Sequence, residues 1–352
     1  MNVVSVNSGH PLRYHGDQAA AGARLDFAVN VVSPSPPEWL QRVLIDEIPR
    51  LGSYPPAELQ RRAVAAVAAG VGVDKHDVLL LNGAAEGFSL LSRLQPRSAV
   101  VLHPGFTEPQ ACLEDAGVTV GEVIMSAPYT LDTVAVDEAA DMVVIGNPTN
   151  PTGVLHPVDQ LSALARPGRF LVVDEAFLDV TGGESMASLV GRLPGLIVLR
   201  SLTKTWSIAG LRCGFLIADP QTVDRLAAFR PHWPLGTLQL AAMIAVMDRG
   251  GEFLPGISAD IAAQRADMVA SLGAAGFHVH PSRAPYLLVN PPGDAEGLRL
   301  GLAARGIAVR RCDTFPGLDS RFWRLAVRPP EQVDALLEAV EELTRVKDVR
   351  RE

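Results

Sequence analysis

Six short β-rich runs, at 78–81, 99–102, 142–145, 170–173, 197–200 and 215–217, alternate with helical stretches through the first two-thirds of this chain. Each run is strand-sized and dominated by Val, Ile and Leu, the composition of strands buried on both faces. Strands of that kind separated by helices build a mostly parallel sheet with helices on both sides. The expected class is therefore α/β, with a large sheet domain. At 352 residues, the chain exceeds what one hydrophobic core serves, so a second, smaller domain is expected as well.

The flanks supply that second part. Residues 1–32 show little apolar periodicity, and Ser-Pro-Ser-Pro-Pro at 33–37 reads as an extended arm rather than a packed element. Helices are expected at 38–48 and 57–69. After the Pro-His-Trp-Pro turn at 231–234, two helical segments, 238–247 and 258–272, lead to strands at 274–279, 286–290, 307–311 and 322–326 and a closing helix at 331–346. The expected division is an N-terminal arm (1–40) joining the small domain and the cleft, a large domain (41–235) and a small α/β C-terminal domain (236–352).

Composition excludes several roles. Apolar residues make up 48% and charged residues 20%, which is globular, and no apolar run reaches membrane-spanning length. Residues 1–9 lack a basic stretch followed by an apolar core, so the expected location is the cytoplasm, with no membrane partner. A net charge of −8 without a dense Lys/Arg run disfavours nucleic acid as a partner, although local arginines can still bind small anions. Three cysteines, Cys112, Cys213 and Cys312, form no close pair and indicate reduced thiols rather than a disulfide framework or a zinc site.

Three of the buried runs end in polar residues, at the strand ends where ligands sit in open α/β sheets. Gly-Asn-Pro-Thr-Asn-Pro-Thr-Gly follows at 146–153, Asp-Glu-Ala-Phe at 174–177, and Ser-Leu-Thr-Lys at 201–204, with Gly-Leu-Arg-Cys-Gly at 210–214. Each alone has a plain reading as a turn, a helix cap or a surface charge. Together they supply what pyridoxal chemistry needs: an amine, a carboxylate for the pyridine nitrogen, a donor to the ring hydroxyl and a phosphate cradle.

With those motifs the chain resembles the class I/II aminotransferase family over nearly its whole length. The resemblance implies the fold-type-I architecture, with a large sheet of the seven-stranded type, and pyridoxal 5'-phosphate as cofactor. It makes Lys204 the Schiff-base lysine, Asp174 the partner of the pyridine nitrogen and Asn147 the donor to the ring hydroxyl. Ser201, Thr203 and Arg212 resemble phosphate ligands, and Ala84 and Ala85, in Asn-Gly-Ala-Ala-Glu at 82–86, add backbone amides. Phe106 matches the aromatic that stacks on the ring. Tyr54 matches a tyrosine that crosses a dimer interface to the neighbouring phosphate, which implies a homodimer with shared sites. Phe177 departs from the family, where a tyrosine hydroxyl often gives a second contact to the ring oxygen.

For the substrate, guanidinium binds carboxylate or phosphate in a bidentate way that lysine does not copy. Arg324 and Arg328, in Trp-Arg-Leu-Ala-Val-Arg at 323–328, resemble the family's carboxylate-binding strand, and Arg310 adds a cation nearby. His15, Asn30 and Asn150 complete the expected substrate ligands. Tyr-His-Gly at 14–16, Asp-Phe-Ala-Val-Asn at 26–30, Asp174 to Asp179 and the 310–318 segment are similar to the L-threonine-O-3-phosphate decarboxylases of cobalamin synthesis. Decarboxylation of that phosphorylated amino acid is therefore the first expectation, and an aminotransferase acting on histidinol phosphate with 2-oxoglutarate is the alternative. A dinucleotide-binding dehydrogenase is disfavoured, because Gly70-Val71-Gly72 follows a helix and no Gly-x-Gly-x-x-Gly follows the first strand. His278 and His280 share one strand face, but no third ligand is set beside them, so no metal is expected.

Overall fold

The computed structural model describes residues 11–349, apart from residues 15, 133 and 229. A short helix, α1 (Gly16–Ala20), and a two-residue strand, β1 (Leu25–Asp26), precede the extended arm. Helices α2 (Glu38–Glu47) and α3 (Ala57–Val71) follow, and α3 closes where Gly72 adopts φ 79°, a left-handed turn that a side chain would strain.

Next come β2 (Val78–Asn82), α4 (Ala84–Leu90), β3 (Ser98–His103), α5 (Glu108–Asp115), β4 (Thr119–Ile124), β5 (Met142–Gly146), α6 (Val158–Ser162), β6 (Phe170–Asp174), β7 (Leu196–Ser201), β8 (Cys213–Ile217) and α7 (Pro220–Ala227). The strands form one seven-stranded sheet in the order β2-β8-β7-β6-β5-β3-β4, in which only β8 runs antiparallel to its neighbours. The six expected strands are all there. The sheet has the seven strands that the resemblance implies, but the seventh, β4, was not located in the sequence: it is an edge strand whose residues are exposed or half-exposed throughout, so no buried apolar run marks it.

Helix α8 (Thr237–Ala274) is continuous over 38 residues, where two segments were expected. Gly250, Gly251 and Pro255 disfavour helix locally, but tertiary packing at both ends carries the helix through them. Leu240, Met243 and Val246 join the core beneath the large sheet, while Met268 and Leu272 join a separate core in the C-terminal part. There β9 (His278–Val279), β10 (Tyr286–Asn290), α9 (Ala295–Ala304), β11 (Ile307–Ala308), β12 (Arg310–Arg311), β13 (Trp323–Ala326) and α10 (Pro330–Val349) complete the chain. The run at 307–311 serves two sheets: β11 pairs with β1 of the arm, and β12 pairs with β13 in the sheet β12-β13-β10-β9.

Both faces of the large sheet are covered, by one core beside α2, α3 and α8 and another beside α4 and α7. Val143, Val173 and Val198 are wholly buried at the sheet centre, each contributing roughly 1.5–3 kcal/mol, so the strand ends that follow are rigidly placed. Gly146 is paired with Asp174, Asp174 with Leu199, and Ser201 with Gly214. The segments leaving β5, β6 and β7 therefore emerge side by side at one edge. Among the described residues no helix is long and apolar enough to cross a membrane.

Candidate active site

Lys204 lies in the turn after β7, partly buried. Burial, Arg324 and Arg212 push its ammonium down to about 8, against a weaker opposing pull from Asp17 and Asp26. Asp174 ends β6 with a small part of its surface open to the cleft. Its carboxylate accepts the Ala176 N–H at 3.1 Å, and burial, aided by Glu175, pushes its pKa up to about 7, with no cationic side chain offsetting it. A buried carboxylate without a counter-charge is costly, so the position is built to meet a cation.

Beside Lys204, the Ser201 and Thr203 hydroxyls lie 2.7 Å apart and both residues are buried. Arg212, itself left-handed at φ 60°, reaches the turn that opens α4. A Cβ on Gly83 would stand 2.4 Å from the Arg212 Nη2, and one on Gly214 would stand 2.6 Å from the Ala84 nitrogen. Glycine at both positions lets the guanidinium and the start of α4 come close to the end of β8, where Gly214 pairs with Ser201, a donor set suited to an anion. Ala84 is buried there and Ala85 exposed.

Asn147, fully buried, is held on both sides by one residue: its Oδ1 accepts the His156 N–H at 2.7 Å and its Nδ2 donates to the His156 carbonyl at 3.3 Å. That fixes which way the amide points and leaves one of its N–H hydrogens to donate elsewhere. The His156 ring is pushed down to about 4 by burial and is therefore neutral. It meets Thr149 Oγ1 at 3.1 Å, while that hydroxyl donates to Gly146 O at 2.8 Å. Phe106, partly buried, packs 5.9 Å from Phe88. Tyr54 is remote from this cluster in the chain's own contacts: it is 73% exposed and stacks on Trp233 with ring centroids 4.3 Å apart.

The arginines divide into two kinds. Arg310 and Arg324 stand directly opposite each other on β12 and β13, both buried, and neither forms an ion pair among the described residues. Arg310 donates to Tyr14 O at 2.7 Å and Thr314 Oγ1 at 2.8 Å. Arg324 donates to Asn150 Oδ1 at 2.7 Å and to Ala28 O, its Nε is buried without a partner, and burial, reinforced by Arg310, pushes its pKa down to about 10. Opposed like charges out of water are unfavourable unless an anion joins them. Arg328 is different, with all three guanidinium nitrogens donating to backbone carbonyls of the arm, and one also to that of the preceding Val327. The expectation that it faces substrate does not fit that geometry. Asn30 is 4% exposed and its Oδ1 lacks a partner; His15 lies outside the described residues.

Two neighbours escaped the sequence reading. Tyr286 of β10 is fully buried, with its ring 5.0 Å from Phe177, the Arg324 guanidinium over its face at 5.6 Å, and its hydroxyl donating to Thr149 O at 3.2 Å. Arg200 meets Glu175 at 3.4 Å and also Asp179, bracing the loop behind Asp174. A charge inside the apolar run of β7 was the available signal, since a buried arginine requires a carboxylate nearby.

Over residues 24–340 the chain matches the family model described as aminotransferase class I and II. It is 50% identical over 329 residues to a histidinol-phosphate aminotransferase of Mycobacterium tuberculosis, covering 93% of this chain and 90% of that one. It is 31% identical over 340 residues to a threonine-phosphate decarboxylase of Salmonella typhimurium, covering 90% of each. A solved histidinol-phosphate aminotransferase from Sinorhizobium meliloti, in complex with pyridoxal-5'-phosphate, superposes with a TM-score of 0.83 at 20% identity, covering 98% of this chain and all of that one; this last likeness is one of fold.

Proposed function

On the premise that this chain belongs to the class I and II aminotransferase family, which its match over residues 24–340 shows, we propose that it is a pyridoxal-5'-phosphate-dependent aminotransferase acting on histidinol phosphate or a related phosphorylated amino compound, with 2-oxoglutarate as acceptor. The observation that carries the choice is 50% identity, over 93% of this chain, to a relative named for that activity. Decarboxylation of phosphothreonine, the first expectation, rests on a relative 31% identical and gives way to the alternative.

The cleft fits the cofactor. The space kept by Gly83 and Gly214, the paired hydroxyls and Arg212 suit a phosphate, and the uncompensated Asp174 suits a protonated ring nitrogen. When bound, pyridoxal phosphate supplies an aldehyde that captures a primary amine and a ring that spreads the electron pair left at the substrate carbon. Lys204 Nζ would hold the cofactor and would take and return the proton at the substrate carbon. Its depressed pKa keeps a share of the amine neutral near physiological pH. Asp174 holds the ring-nitrogen proton by its charge. Asn147 would give its remaining N–H to the ring hydroxyl, and Phe106 would supply an aromatic surface for the ring. Ser201, Thr203, Arg212 and the Ala84 and Ala85 amides take the phosphate. Arg324, Arg310 and Asn150 take the anionic group of the substrate.

The assay that tests this offers histidinol phosphate, phosphoserine and phosphothreonine, each with and without 2-oxoglutarate, and measures glutamate and carbon dioxide. Glutamate that appears only with 2-oxoglutarate, fastest from histidinol phosphate, is the expected result. Carbon dioxide from phosphothreonine without glutamate would restore the decarboxylase.

Tyr54 belongs to the same reading as a residue given to the neighbouring subunit's phosphate, in a homodimer. Its exposed ring, with Ile45, Ile48, Leu51 and Trp233 also exposed, supports a face that a second copy covers. Co-expressed Tyr54→Phe and Lys204→Ala chains should give hybrid dimers with one site intact and the other doubly damaged. Activity above that of either variant alone is expected; its absence counts against a shared site.

A further inference from the structure

Arg328 follows Arg324 by four residues, yet the two guanidiniums do different work. Arg328 Nε donates to Asp26 O at 2.8 Å, Nη1 to Val31 O at 3.0 Å and Nη2 to Val29 O at 2.7 Å. From within the same segment, the Asp26 carboxylate accepts the N–H groups of Ala28 at 2.7 Å and Val29 at 3.0 Å. The arm at 26–31 is thus tied to the segment just after β13 by a planar fork that engages three of its carbonyls.

What the arm touches next gives the clamp its meaning. Ala28 O accepts from Arg324. The Val32 N–H donates to the carbonyl of Lys204 itself at 3.2 Å, and the Ser33 N–H donates to Ser207 Oγ at 2.9 Å. Ser207, in the same turn as Lys204, holds φ 54°, a conformation that a non-glycine residue keeps only when its surroundings impose it. Packing anchors the start of the arm, where Phe27 and Ala28 are wholly buried, but its far end, next to Lys204, is loosely packed. A cavity of about 160 Å³ lies between Val31, Val32 and the Ile257 and Gln264 positions of α8.

We infer that Arg328 is a positioning residue: by holding the arm at 26–31 it sets the Lys204 backbone relative to the Arg324 guanidinium, and so sets the reacting amine against the substrate's anionic group. This deepens the proposed function and rests on it. The spacing between amine and anion site orients the substrate carbon, and the bond that breaks is chosen by that orientation. Lysine at 328 keeps the charge but not the fork, because one ammonium on a flexible stem cannot reach three diverging carbonyls from one plane.

The test compares native protein with Arg328→Lys and Ser207→Gly, which removes the hydroxyl at the arm's far end while suiting the left-handed backbone. Two readouts are taken. In the cofactor-loaded proteins, the pH midpoint of the visible absorption and the KM and kcat values are measured; a moved midpoint, with KM raised roughly tenfold as for one lost charge-assisted hydrogen bond, is expected in Arg328→Lys and a smaller change of the same sign in Ser207→Gly. In the cofactor-free proteins, amide hydrogen exchange over residues 203–208 should quicken about tenfold, the scale of losing one such restraint. Should Arg328→Lys fail to fold, Ser207→Gly carries both readouts. Unchanged exchange at 203–208 together with a native midpoint and KM overturns the inference. Quickened exchange in protein that takes up no pyridoxal phosphate at all would leave the arm's coupling standing and sink the proposed function instead.

Discussion

Lys204→Ala is expected to abolish the visible absorption of protein reconstituted with pyridoxal phosphate and to lower turnover by at least about a thousandfold, the scale of losing a positioned proton-transfer group. Two roles vanish at once, covalent attachment of the cofactor and movement of the substrate proton, and nothing nearby replaces them. The cations around Lys204 are guanidiniums, Arg212 and Arg324, which stay protonated and cannot serve as a base, and of the two carboxylates that act on it more weakly, Asp26 is occupied by the Ala28 and Val29 N–H groups. The chain has three lysines, Lys75, Lys204 and Lys347, so a peptide map after borohydride treatment of native protein gives an unambiguous answer. Lys75 is exposed in a turn before β2, which makes it the natural control for adventitious labelling. A cofactor adduct on Lys75 with none on Lys204 would refute the assignment.

How much of this was legible in the chain depends on what each element answers to. Strands buried on both faces, such as β5 and β6, show themselves through unbroken apolar runs, and the polar residues that close them mark the cleft. Edge strand β4 answers to one neighbour and solvent, so its residues carry no such mark. Helix α8 crosses Gly250, Gly251 and Pro255 because long-range packing outweighs local preference, which no window of sequence records. The arginines make the same point at the site. Arg310, Arg324 and Arg328 look alike as residue types, and only the partners on β12, β13 and the arm separate an uncompensated charge from a backbone clamp. Tyr286 was invisible for a related reason: an aromatic in a buried strand reads as core, and its contact with Arg324 arises only when β10 pairs with β13, as its hydroxyl contact with Thr149 arises only when β10 lies against the Asn147 to His156 loop.

Asp174→Asn should change activity and stability in opposite directions. In the loaded enzyme, losing the charge that holds the ring-nitrogen proton is expected to cut kcat on the order of a hundredfold, corresponding to a few kcal/mol for a buried charge-assisted contact. In the cofactor-free protein the carboxylate is a burden. Its folded pKa is raised to about 7 from 3.8, so the folded state binds the proton more tightly than the unfolded state does. The stability this contributes is fully present below pH 3.8, falls as pH rises through 7, and then levels off. At most, about 4 kcal/mol is involved. Asparagine does not ionise and has no such slope. Melting temperatures of the two cofactor-free proteins should therefore diverge between about pH 4 and pH 7, with native protein losing ground and Asp174→Asn more stable above pH 7. Pyridoxal phosphate should narrow or reverse the gap, because a protonated ring nitrogen gives Asp174 the cation it lacks. Parallel melting curves across that range, or an unchanged kcat in the loaded variant, would remove Asp174 from this role.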